Sequence, residues 1–171
     1  MNRQIFQNFQ KMILNCTPCI IILLLILISI TPFHVPQHIN VIPLFALVSI
    51  FHWAVYKPEL LPPYAVFFIG LLQDMLQGMP AGVNTIVFLL VYGLVTSQNR
   101  FFFKKSFLVI WIGCGIILAA SIILIWLLMC ALNTSFIDPL AVCFEYAVTL
   151  GFYPGLAWCL LRWQRLFLSH V

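Results

Sequence analysis

Apolar residues run through this chain in long, nearly unbroken stretches. Short segments rich in Pro, Gly and polar residues separate them. Several runs approach or exceed the ~18 residues that a bilayer-crossing helix needs. They are continuous rather than alternating, which argues for helices over a transmembrane barrel. The pattern predicts six spans, at about 13–31, 39–56, 63–77, 81–97, 106–131 and 139–161. The breakers are TPFHVPQH (31–38), KPELLPP (57–63), QGMP (77–80), SQNRFFFKKS (97–106) and LNTSFIDP (132–139). Pro and Gly stand in them where helices should start or stop. The third span is short, about 22 Å of helix against a hydrocarbon core of about 30 Å. With the fourth it would form either two full crossings or a re-entrant pair. The fifth is long and should tilt. Gly113 and Gly115 near its start permit close packing without matching the GxxxG spacing. The expected architecture is an all-α membrane protein, one polytopic domain over residues 1–171 with an uncleaved first helix.

Composition agrees with that class and charge orients it. The 171 residues are 64% hydrophobic and 7% charged, against about a quarter charged in soluble domains. With the N-terminus inside, the cytoplasmic segments hold Arg3, Lys11, Lys57, Arg100, Lys104, Lys105, Arg162 and Arg165, which are all eight cations. The outer loops at 31–38, 77–80 and 132–138 hold none. Both termini are therefore expected in the cytoplasm. The net charge of +4 is scattered, with no basic arm or helix face, so nucleic acid is not an expected partner.

Against this apolar background, GLLQDMLQGMPAG (70–82) stands out: it holds a carboxylate, two glutamines, three glycines and a proline. On a helix, Gly70, Gln73, Asp74 and Gln77 fall within one arc of about 100°, and Leu71, Leu72, Met75 and Leu76 fill the other side. The polar stripe must face protein or water, because unsatisfied polar groups in lipid cost several kcal/mol each. Asp74, Asp138 and Glu145 all fall in the outer half of the expected topology or at its edge, opposite every Lys and Arg. Four states would satisfy such acids: protonation, hydrogen bonds from side chains or a helix start, a water-filled outward cavity, or a cation from another molecule. For Asp74 the turn favours the second. Pro80 suits the first position of the fourth helix, where free N–H groups follow it. Asn84 and Thr85 beyond the turn suit interhelical hydrogen bonds. A binding or coupling role for Asp74 is the other reading.

Other candidates change little. The six cysteines sit mostly in apolar runs, and Cys16 and Cys19 have C-x-x-C spacing without a second ligand pair. His34 and His38 are four apart but separated by Pro36, and His52 with Trp53 suits packing or the interface. No metal, cofactor or catalytic residue is expected, since nucleophilic catalysis needs a Ser or Cys with a base in reach. FFFKK (101–105) reads as an aromatic and cationic belt at the inner surface of the lipid bilayer.

These residues resemble a family, the rod shape-determining protein MreD. The similarity lies in HWAVYKPELLPP (52–63), a Trp-containing span followed by Lys-Pro, and in GLLQDMLQGMPAGVNTIVFLLVYGLV (70–95). The family pattern G-L-x-x-D-x-x-x-G-x-P-x-G falls on Gly70, Leu71, Asp74, Gly78, Pro80 and Gly82. Position 81 is Ala where the family often has Leu. Outside residues 52–100 the likeness is one of length, hydropathy and spacing. The resemblance implies a non-enzymatic protein of a Gram-negative inner membrane that maintains rod shape. Its implied partners are an MreC-like membrane protein and, within the elongasome, the actin-like MreB, the glycosyltransferase RodA and a class B penicillin-binding transpeptidase. The stripe would then wall a groove completed by helix termini or by a partner's helix. The competing class is the substrate-binding S-component of an energy-coupling-factor transporter, also six spans with an outward pocket, toward which Asp74 and Glu145 would point. It docks through small-residue helices, and the first span here lacks A-x-x-x-A. A proton- or cation-coupled transporter, with Asp74 as its titrating group, is a third reading.

Overall fold

The structure, a computed structural model, describes residues 17–29, 33–35, 39–41, 43–98, 106–132 and 139–168. Six helices account for nearly all of them. They are α1 (Thr17–Ser29), α2 (Phe45–Tyr56), α3 (Pro63–Gln77), α4 (Val83–Ser97), α5 (Phe107–Leu132) and α6 (Pro139–Leu168). A small antiparallel pair, β1 (Phe33–Val35) and β2 (Ile39–Val41), lies between α1 and α2, with His34 opposite Asn40. A 3₁₀ turn, Pro58–Leu60, joins α2 to α3.

The pattern-derived elements need four corrections. The second span was expected to be helical from residue 39, but 39–41 is a strand and the helix starts at Phe45. β-Branched Ile39 and Val41 suit a strand, and Pro43 disfavours helix in the residue before it. The fourth helix starts at Val83, not 81, because Gly82 holds φ +108°. Pro80 is accordingly in the turn and not at the first helical position. The sixth helix runs on to Leu168, since no Pro or Gly follows Gly155 to stop it. It tolerates Pro154, whose missing N–H leaves the Leu150 carbonyl without its helical donor. The third helix has the expected bounds: Pro63 starts it and left-handed Gly78 stops it.

α2 is the centre of the bundle. It is apolar all round, and all its residues from Phe45 to Val55 are buried, as expected of a core helix. α4, α5 and α6 pack against it, and α3 pairs with α4 in a tight hairpin. Trp53 is fully buried, and the imidazole of His52 stacks on Tyr56 with ring centres 4.6 Å apart. Tyr153 of α6 meets Phe51 edge-on. Thr149 of α6 accepts a hydrogen bond from the Leu44 N–H at the start of α2 and donates to the Glu145 carbonyl one turn back. At the other end of α2, the Tyr92 hydroxyl of α4 donates to the Pro58 carbonyl.

The exterior is as apolar as the core. Leu108, Ile112, Ile116, Ile123 and Leu127 of α5 are all exposed, and only 33% of that helix's most apolar stretch is buried in the protein. Contiguous apolar surface of this kind is rare on soluble monomers. Among the described residues, α5 is the helix long and apolar enough to cross a bilayer; α1, α2 and α4 are shorter apolar helices.

Candidate functional site

The polar segment folds into a closed helix-to-helix clamp. α3 ends in a Schellman motif: the Met79 N–H bonds the Asp74 carbonyl at 3.0 Å and the Gly78 N–H bonds the Met75 carbonyl at 3.4 Å. Gly78, at φ +65°, permits this reversal. The chain then passes Pro80 and turns at Gly82 into α4. Gly82 is the N-cap residue and has no side chain to satisfy the first N–H groups of the helix.

Asp74 supplies the missing acceptor from the preceding helix. Its Oδ1 accepts the Asn84 N–H at 2.8 Å. Its Oδ2 accepts the Gly82 N–H at 2.8 Å, the Thr85 hydroxyl at 3.1 Å and the Thr85 N–H at 3.4 Å. The remaining donors close within the turn: the Val83 N–H bonds the Pro80 carbonyl at 3.4 Å, and the Ile86 N–H bonds the Gly82 carbonyl at 2.9 Å. The start of α4 thus has a partner for each N–H from Gly82 to Ile86.

Burial and electrostatics explain why an acid is tolerated. Asp74 is completely inaccessible to solvent, and among the described residues it has no cationic partner. Its carboxyl oxygens face the N-terminus of α4, where the helix dipole and free N–H groups favour an acceptor. Each carboxylate oxygen offers about two lone-pair sites: Oδ2 takes three donors and Oδ1 takes one. Burial closes the group to solvent.

Gly70 sets the distance at which this works. It lies one helical turn before Asp74 on the same face. A Cβ at position 70 would come within 2.5 Å of the Thr85 Cα, closer than such atoms approach. Only glycine lets α3 and α4 approach so closely, and that approach brings the carboxylate to the α4 terminus. Outside the clamp, Asn84 Nδ2 donates to Gln77 Oε1 at 3.1 Å and approaches Met79 Sδ at 3.4 Å. Gln73 is buried beside Asp74, and among the described residues its Oε1 has no hydrogen-bond partner, nor has Asn84 Oδ1.

Gly70, Asp74, Gln77, Gly78, Pro80, Gly82 and Asn84 thus belong to one hairpin, with Gln73 at its buried flank. Glu145 is not part of it. It lies on α6, partly buried, and among the described residues its carboxylate makes no hydrogen bond or ion pair. Thr149 enters the structure through the α2–α6 contact, which residue spacing did not signal. No group of three His, Cys, Asp or Glu that would hold a metal occurs among the described residues. Cys19 belongs to α1; Cys16, His34 and His38 lie outside the residues whose side chains are described, as do Asp138 and the FFFKK belt.

The fold and the site define a class: a helical protein with an apolar exterior, whose buried acid closes a helix hairpin. The family model for the rod shape-determining protein MreD matches residues 10–167, and the chain belongs to that family. The family is one of membrane proteins with a non-catalytic, shape-determining role. The chain is also similar to an uncharacterized protein of Rickettsia prowazekii (strain Madrid E), 22% identical over 108 residues. That match covers 63% of this chain and 61% of the relative, so the chain spans less than two thirds of the relative's length. No solved structure matches the chain.

Proposed function

We propose that the protein is a six-span inner-membrane scaffold of the cell-wall elongation machinery, one polytopic domain with both termini in the cytoplasm. In this reading it has no enzymatic activity. It binds an MreC-like membrane protein and helps to assemble the peptidoglycan synthases, RodA and a class B penicillin-binding transpeptidase, with MreB. Family membership supports the shape-determining part of this reading. The distribution of all eight cations supports the topology.

The observation that carries the scaffold reading is the enclosure of Asp74. A substrate ligand or a coupling acid needs access, and this carboxylate is sealed from solvent and spends both oxygens on the start of α4. Asp74 is used inside the chain, as a device that locks α3 to α4. The apolar exterior is the surface that α3 and α4 leave for partners. That weighs against the S-component and coupled-transporter readings, in both of which Asp74 would face a ligand or an ion.

The test is a mild-detergent pull-down of the tagged protein from its native membrane, followed by mass spectrometry. The scaffold reading predicts an MreC-like protein together with wall-synthesis enzymes. Recovery of a transporter ATPase pair with its membrane coupling subunit would overturn it and return Glu145 to the list of substrate ligands.

A further inference from the structure

Resting on the scaffold reading, we infer that the seam between α1 and α6 is the seat of a partner's membrane-crossing helix, and that this helix brings a Lys or Arg to Glu145. A groove of about 440 Å³ separates the two helices there, lined among others by Ile21 and Leu25 of α1 and by Leu156, Cys159 and Trp163 of α6. Among the described residues, no charged side chain lines it. Glu145, Phe152, Leu156, Cys159 and Trp163 are spaced 7, 4, 3 and 4 residues apart. At 100° per residue they share one edge of α6, within an arc of about 60°. Alternating three and four is the spacing with which one helix receives another. On that edge Phe152, which meets Phe45 of α2 edge-on, and Trp163 keep 49% and 42% of their surface exposed.

Glu145 gives the seam its chemistry. It lies about 16 Å along the helix from Leu156, toward the Pro139 end, and its carboxylate is partly buried without a hydrogen bond or ion pair among the described residues. The described cations are remote: Arg162 lies 17 residues further along the same helix, about 25 Å away, over the Trp158 ring, and Lys57 closes the corresponding end of α2. An acid in a membrane helix is costly unless paired. The complement of an apolar helical seam with one unpaired carboxylate is an apolar helix with one cation at matching depth.

The experiment uses the full chain in its native membrane. A photo-crosslinking residue is placed by Leu156→p-benzoylphenylalanine, with Ile123→p-benzoylphenylalanine on the exposed face of α5 as the control. The proposal expects the position-156 probe to capture a partner whose membrane-crossing helix bears a Lys or Arg near the corresponding end, and the control to capture none. Glu145→Gln should lower the yield about tenfold or more, a change of about 1.4 kcal/mol or more, at unchanged abundance. Glu145→Lys should abolish capture, and reversing the partner's cation to Glu should restore it. Capture of the partner from position 123 and not from 156 would overturn the seam while leaving the scaffold reading intact. So would capture of lipid or of a second copy of this chain at 156. Capture that is indifferent to Glu145→Gln and Glu145→Lys would overturn the charge pairing. Absence of any partner protein from both positions, and from the pull-down, would overturn the scaffold reading itself.

Discussion

Replacing Asp74 by Leu removes the acceptor of four donors while keeping a side chain of similar size. Three of those donors are backbone N–H groups, of Gly82, Asn84 and Thr85, and the fourth is the Thr85 hydroxyl. An unpaired buried donor costs about 1–3 kcal/mol. The three amides lose their partner together, at the start of one helix, so the losses are not independent. A total of about 3–6 kcal/mol is expected. Set against a typical stability of about 5–15 kcal/mol, that approaches the whole margin. Asp74→Asn is milder, because its single carbonyl oxygen can take the place of Oδ2 and keep Gly82 and Thr85. Its NH₂ then faces the Asn84 N–H, donor against donor, for about 1–3 kcal/mol. The assay is thermal denaturation of the detergent-solubilised protein, followed by size-exclusion fluorescence. Asp74→Leu should lower the midpoint by roughly 10 °C or more and reduce membrane abundance. Asp74→Asn should fall between it and the wild type. A Leu variant as stable as the wild type would refute the capping role.

The same assay checks four further substitutions. Gly70→Ala should destabilise by about 1–3 kcal/mol, because its Cβ meets Thr85 backbone and not a yielding side chain; a neutral result would mean that the hairpin is looser than this. Gly82→Ala should cost about 1–3 kcal/mol and Gly78→Ala about 1–2 kcal/mol; both positions have open space for a methyl group, so backbone conformation is the only cause. Thr149→Val should cost about 1 kcal/mol by removing the acceptor of the Leu44 N–H, and accelerated amide exchange at Leu44 would locate the loss.

The sequence made the clamp legible because its parts are local. Pro63 and Gly78 punctuate α3 through fixed backbone preferences, and Gly70, Asp74 and Gln77 share a face by helical arithmetic alone. Which acceptor each α4 N–H would find was open, since a carboxylate eight to eleven residues away reaches them only after the turn has formed. The start of α4 was misplaced for a related reason. Pro80 suits a first helical turn, but the positive φ of Gly82 postpones the helix to Val83. The segment 39–44 is apolar enough to extend a helix, and its β-branched residues and Pro43 carry the opposite signal. Gly70 was visible as a small residue, while its contact with Thr85 depends on how two helices cross, which no periodicity encodes. Glu145 was visible as an acid, and its distance from the clamp follows from α6 packing on α2 and α5, not on α3.

The central claim is that Asp74 holds the hairpin together and takes no part in binding or charge transfer. Its most direct test is complementation of rod shape in cells that lack the endogenous protein, with Asp74→Asn expressed to wild-type abundance. The account predicts rod-shaped cells, because the amide retains most of the clamp and no charge is needed beyond it. Round cells at normal abundance would contradict it and assign the carboxylate's charge a role in binding.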